Sequence, residues 1–195
     1  VFEDHRDFGG HTMQGDATYN LQTGEYVIFG TGVATGTLPD YGHAVYSEIT
    51  GDFRLKAKVS SDGRRAAYIG FSDDLEDREA TWYTVWVDYI DNGGAQAFWR
   101  TPRGANWETT PEIPSDAQDG LVEVVREGNV FSAYYFGRNT GERIQIDSRN
   151  IELTDPIHVF LASWSGSLTE YNVAHFSDVE LRTGPSSCNN WELYK

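Results

Sequence analysis

No apolar stripe of helical period persists for ten residues in this chain. Short segments of period 2 recur instead, separated by turns rich in Gly, Asn, Asp and Pro. Alternation of that kind makes strands with one face buried and one face wet. The clearest case is Asp52 to Val59: Phe53, Leu55, Ala57 and Val59 fall on one side, and Asp52, Arg54, Lys56 and Lys58 on the other. Further strands are predicted over 16–20, 25–31, 66–72, 96–101, 121–127, 130–137, 141–146, 157–164 and 171–181. In the last of these, Ala174 and Phe176 share one parity while Val179 and Leu181 share the other, which predicts a bulge. Roughly a dozen strands spaced by roughly 10 to 15 residues predict an all-β, two-sheet antiparallel sandwich. At 195 residues the chain suits one domain, 1–183, followed by a tail, 184–195.

The stretch from Thr81 to Thr101 departs from simple alternation because it carries large aromatic residues on both faces. Tyr83, Val85, Val87 and Tyr89 share one parity, and Trp82, Trp86 and Asp88 the other. The turn Asp91-Asn92-Gly93-Gly94 predicts a hairpin into a second strand, with Trp99 beside Ala97 on one face and Gln96, Phe98 and Arg100 on the other. Parity does not fix whether Trp99 points the same way as Trp82 and Trp86. Two readings stay open: both faces are buried, with loops folded over one side, or the second face holds a flat ligand.

Charge narrows the partners. With 30 acidic and 15 basic residues the net charge is -15, which opposes the approach of nucleic acid or any other polyanion. Neutral partners or cations fit better. No apolar run approaches the length of a membrane span, so no membrane partner is expected. The opening VFEDHRDFGG does not resemble a signal peptide, and the reading taken is a mature extracellular form. Cys188 stands alone, so no internal disulfide forms.

Several segments combine chemistry with a plain structural alternative. Glu3, Asp4, His5, Asp7 and His11 crowd the first residues, as metal ligands or as a solvated leading loop. The run Asp73 to Glu79, DDLEDRE, is an exposed loop, a calcium loop or a carboxylate cluster, without the spacing of an EF-hand. The long connection 102–119 is read as irregular, and its Trp107 is either a binding wall or a plug. Trp191, in the tail SSCNNWELYK, has no place in the sandwich and could dock on this chain or on another, giving self-association through a sheet edge.

In order, GDFRLKAKVSS, AAYIGFS, the tryptophan-bearing strand pair, GLVEVVREGNVFSAYYF and HVFLASWSGSLTEYNVAHFSDVEL resemble the concanavalin A-like lectin/glucanase superfamily. More narrowly they are similar to jelly-roll carbohydrate-binding modules of secreted bacterial proteins, over about residues 15 to 182. The resemblance implies a convex and a concave sheet, with sugars held on the concave face or at a loop edge. It also implies a structural calcium ion near the chain ends, for which Asp7, Asp178 and backbone carbonyls are the expected ligands.

The E-x-D-x-E pattern of the glucanase relatives is missing, as are G-x-S-x-G, a Walker loop and H-E-x-x-H. Asp88 and Glu123 are the strand carboxylates that would serve a hydrolase or lyase alternative. The expected function is non-catalytic binding of a polysaccharide or oligosaccharide. Trp82, Trp86 and Trp99 are the expected platforms, Asp88, Gln96 and Arg100 the polar partners, and Trp107 the loop wall. The alternatives are an enzyme of the same fold and a self-assembling extracellular subunit.

Overall fold

The computed structural model describes residues 2, 4–9, 13–32, 42–62, 67–77, 79–87, 94–114, 120–137, 139–184 and 192–193. Its elements are strands: β1 (Asp4–Phe8), β2 (Asp16–Asn20), β3 (Glu25–Gly32), β4 (Gly42–Ile49), β5 (Phe53–Ser61), β6 (Ala67–Ser72), β7 (Trp82–Val87) and β8 (Gly94–Arg100). There follow β9 (Glu108–Thr109), β10 (Ile113–Pro114), β11 (Gly120–Glu127), β12 (Val130–Phe136), β13 (Arg143–Asn150), β14 (Ile157–Ser163), β15 (Ser167–Thr183) and β16 (Glu192–Leu193). Among the described residues no helix is long and apolar enough to cross a membrane.

The strands form two antiparallel sheets. The first runs β1-β4-β14-β6-β7-β8-β10, with β9 also paired to β8; the second runs β13-β12-β11-β5-β15-β3-β2, with β16 paired to β15. The predicted sandwich is present. Its interior takes the apolar parity of each strand: Phe53, Leu55, Ala57 and Val59 of β5 face Ile69 and Phe71 of β6 and Tyr83, Val85 and Val87 of β7, all closed to solvent. Burying each large apolar side chain contributes about 1.5–3 kcal/mol. Phe71, Phe131 and Tyr83 lock the centre, with Phe71 and Phe131 ring centroids 4.2 Å apart.

At one end the sheets come close. A Cβ on Gly30 of β3 would lie 2.0 Å from the Ser163 carbonyl oxygen of β14. Beside it the buried Asn172 amide donates to Ser163 Oγ at 3.1 Å and its Oδ1 accepts from Ser61 Oγ at 2.7 Å, stapling β14 to β15 and β5.

The predicted bulge is present in β15: the register with β5 shifts between Ser177 and Glu180, and Asp178 takes a positive φ of 51°. Other expectations need correction. The leading segment is strand β1, paired to β4, not a loop, and β4 itself occupies residues that did not read as a strand. The connection 102–119 contains the short strands β9 and β10. In the tail, Glu192 and Leu193 pair with Thr183 and Arg182 of the same chain; Cys188 and Trp191 lie outside the described residues.

Candidate functional site: an aromatic face on the first sheet

The face of the first sheet turned away from the interior is built in rows by strand register. Ala44, Ala162, Tyr68, Trp86 and Gln96 lie in one row, Tyr46, Phe160, Gly70, Thr84 and Phe98 in the next, and Glu48, His158, Ser72, Trp82 and Arg100 in the third. Small residues leave room that large rings fill from the flanks. The Trp82 ring meets Phe160 at 4.9 Å and Phe8 at 5.2 Å, and Tyr68 meets Phe160 edge-on at 6.0 Å. Phe8, Tyr68, Trp82 and Phe160 are buried there as a second, smaller core.

Part of this face is roofed by the charge run after β6. Leu75 and Ala80 pack onto the aromatic cluster, while the flanking carboxylates fold the loop. Asp73 Oδ1 accepts from the Thr81 N–H, Asp74 Oδ1 from the Glu76 N–H and Asp77 Oδ1 from the Glu79 N–H, each at 2.8 Å. Arg103, from the loop after β8, donates to Asp77 at 2.6 Å and to Asp73 at 3.1 Å, and the Gly104 N–H donates to the Glu79 carbonyl at 2.8 Å. The carboxylates thus cap backbone donors and meet an arginine.

The rings left half-buried are Trp86, Phe98, Trp164, Trp107 and Tyr46. Trp86 stands between two of them, edge-on to Phe98 at 4.4 Å and 69° and to Trp164 at 5.6 Å and 68°. Its indole N–H donates to Gln96 Oε1 at 3.1 Å, and Gln96 Nε2 donates to the Thr110 carbonyl at 3.2 Å, which fixes the ring's tilt. Trp107 leans edge-on against Trp82 at 6.2 Å and lies 4.8 Å from the Arg100 guanidinium carbon. The Trp164 indole nitrogen is buried and, among the described residues, has no hydrogen-bond partner.

The structure therefore sorts the predicted site residues. Trp86, Gln96 and Trp107 remain accessible on one face. Trp82 and Arg100 share that face but lie beneath the loops, 4% and 1% exposed. Trp99 is on the opposite, interior face, where the Arg149 guanidinium carbon sits 3.3 Å from its ring centroid. Asp88 lies outside the described residues. Trp164, Phe98, Tyr46 and His158 complete the face; β14 reads as one apolar run, so parity alone could not tell which of its residues point outward.

Glu123 belongs to the second sheet and lies on the side facing away from the first. There it is pinned between Arg143, at 2.5 Å, and Arg54, at 3.1 Å. Asp7 lies on β1, accepting from the Gly15 N–H and from His43 Nδ1, both at 2.8 Å, whereas Asp178 is exposed in the β15 bulge of the other sheet. Among the described residues no three His, Cys, Asp or Glu side chains form a group that could hold a metal ion. His43 Nε2 lies 3.0 Å from His5 Nδ1, completing an Asp7–His43–His5 chain from the interior to the surface. Burial pushes the His43 imidazole below its ordinary value, against the opposing pull of Asp7.

No family model matches the chain, and no curated protein matches it in sequence. Solved structures do match in fold. A functionally unknown protein from Saccharomyces cerevisiae superposes with a TM-score of 0.65 at 14% identity, over 93% of this chain and 96% of that one. The carbohydrate-binding module CBM66 from Bacillus subtilis gives 0.53 at 15% identity, over 87% and 92%. The Bacillus licheniformis β-glucanase gives 0.50 at 11% identity, over 89% of each chain. Identities this low establish architecture alone. The two antiparallel sheets, their order and these superpositions together give the chain the concanavalin A-like jelly-roll fold.

Proposed function

We propose that this protein binds a neutral polysaccharide or oligosaccharide, outside the cell and without cleaving it, on the aromatic face of its first sheet. The observation that carries the reading is the group of half-buried rings around Trp86, held by Gln96 and flanked by Trp164 and Phe98. A pyranose presents an apolar C–H face and a rim of hydroxyls. Its C–H face would displace water from indole rings. By analogy with bases on aromatic side chains, each ring would contribute about 1–3 kcal/mol. The acidic surface disfavours polyuronates, and the fold shared with the carbohydrate-binding module CBM66 is consistent with sugar as the ligand class.

Tryptophan fluorescence titrated with soluble neutral and acidic glycans, with calcium or with a chelator, tests this. A saturable shift with a neutral glycan, lost in Trp86→Ala and weakened in Trp164→Phe, is the expected result. A flat response across the panel, or undiminished binding by Trp86→Ala, would sink the assignment. Reducing ends or unsaturated sugars released from the bound glycan would replace binding with catalysis.

A further inference from the structure

On one side of the sandwich the two sheets end in open edges, β1 of the first and β2 of the second. An edge strand turns alternate N–H and C=O groups outward, where a strand of another chain can pair with them. Between these edges lies a cleft of about 140 Å3 with apolar walls of Phe2, Ala17, Tyr19, Tyr26 and Val45. Tyr19 is 45% exposed, and Leu21, in the turn after β2, 87%. Two open edges around an apolar hollow are what a second copy of the chain needs to add a strand of its own.

Aspartates close both edges. Asp4 Oδ1 accepts the N–H of the next residue, His5, at 2.8 Å, and Asp16 Oδ1 accepts the N–H of the next residue, Ala17, also at 2.8 Å. An amide held by its neighbour's carboxylate is withheld from an incoming carbonyl. Asp4 is fixed from its other side as well, since its Oδ2 accepts the Tyr46 hydroxyl at 3.0 Å. The His5 amide, and then that hydroxyl, hold the Asp4 carboxyl below the usual carboxylate range. Two further bonds stitch the first sheet's edge to the second sheet: Gly15, just before β2, donates its N–H to Asp7 Oδ1 of β1 at 2.8 Å, and Phe2, just before β1, donates its N–H to the Tyr26 hydroxyl of β3 at 3.3 Å.

We propose that Asp4 and Asp16 are edge caps that keep this side of the protein from taking up a strand of a second copy. The apolar cleft supplies an attraction between copies, and the caps withhold the hydrogen bonds that would give it a register. In the first sheet β1 stands four strands from β7, so glycan binding at Trp86 and self-association at this side can be altered separately.

Sedimentation velocity of the whole chain over about 10 to 500 μM, with amide exchange at His5 and Ala17 followed by NMR, tests this. The wild type should sediment as a monomer. Asp4→Ala/Asp16→Ala should associate at concentrations at least about tenfold lower, with exchange at both amides faster in the dilute variant and slower in its oligomer. Asp4→Asn/Asp16→Asn keeps an acceptor oxygen without the charge and should remain a monomer. Both positions are exposed, so the variants should fold, and Asp16→Ala alone, which leaves the Asp4–Tyr46 bond in place, should show the same effect more weakly. A folded double alanine variant that stays monomeric, an asparagine variant that associates as strongly as the alanine one, or a wild-type oligomer whose formation slows exchange at these two amides would overturn the proposal.

Discussion

At the scale of single residues, two tryptophans four positions apart on β7 do different work. Trp82 is closed in by Phe8, Phe160 and Trp107, so Trp82→Ala should leave a cavity and cost about 3–5 kcal/mol. Trp86 is half-exposed, and Trp86→Ala should cost about 1 kcal/mol while removing glycan binding. Urea unfolding of the two variants gives the comparison; equal losses would mean that Trp86 is a core residue too. His43 makes a second residue-scale case. Its folded pKa lies below its unfolded value, so the unfolded chain binds a proton first as pH falls. Stability from this group is complete above about pH 6.5 and drains away below it. Melting temperature should therefore fall from pH 7.5 to pH 5, and the fall should be shallower in His43→Gln; an unchanged pH slope in that variant would remove His43 as its source.

At the scale of elements, β5 was legible because its alternation matches its burial residue for residue, and the β15 bulge because the parity of its apolar residues changes sign. The strands β1 and β4 were not. DHRDF is polar, and only pairing with β4 makes it a strand; GHAVYSEI is buried on both faces at Ala44 and Val45, which erases the period-2 signal. The same erasure on β7 made the platform residues visible while hiding which face was core. Trp99 shows the limit: its inward direction is set by cross-strand register with Tyr83, which no single strand encodes. The loop after β6 illustrates how an acidic run can be structural. Arg103→Ala should cost at most about 1 kcal/mol, since its ion pairs are partly exposed. It should nevertheless speed amide exchange at Thr81 and Gly104 as the two loops part; unchanged exchange there would show that the loops hold without it.

At the scale of the whole molecule, a net charge of -15 makes the folded state repel itself. Salt should screen that repulsion, with a Debye length near 10 Å at about 0.1 M, and raise the melting temperature by about 2–4 °C for each kcal/mol relieved. A melting temperature that drops between low and moderate sodium chloride would show that paired charges such as Glu123 with Arg54 and Arg143 outweigh the net repulsion. The indoles of Trp86 and Trp164, 5.6 Å apart, and of Trp82 and Trp107, 6.2 Å apart, are close enough for their electronic transitions to mix. The far-ultraviolet circular dichroism of this protein should therefore carry an exciton couplet laid over the weak strand signal, distorting any strand content read from the raw spectrum and serving as an intrinsic optical gauge of the aromatic face.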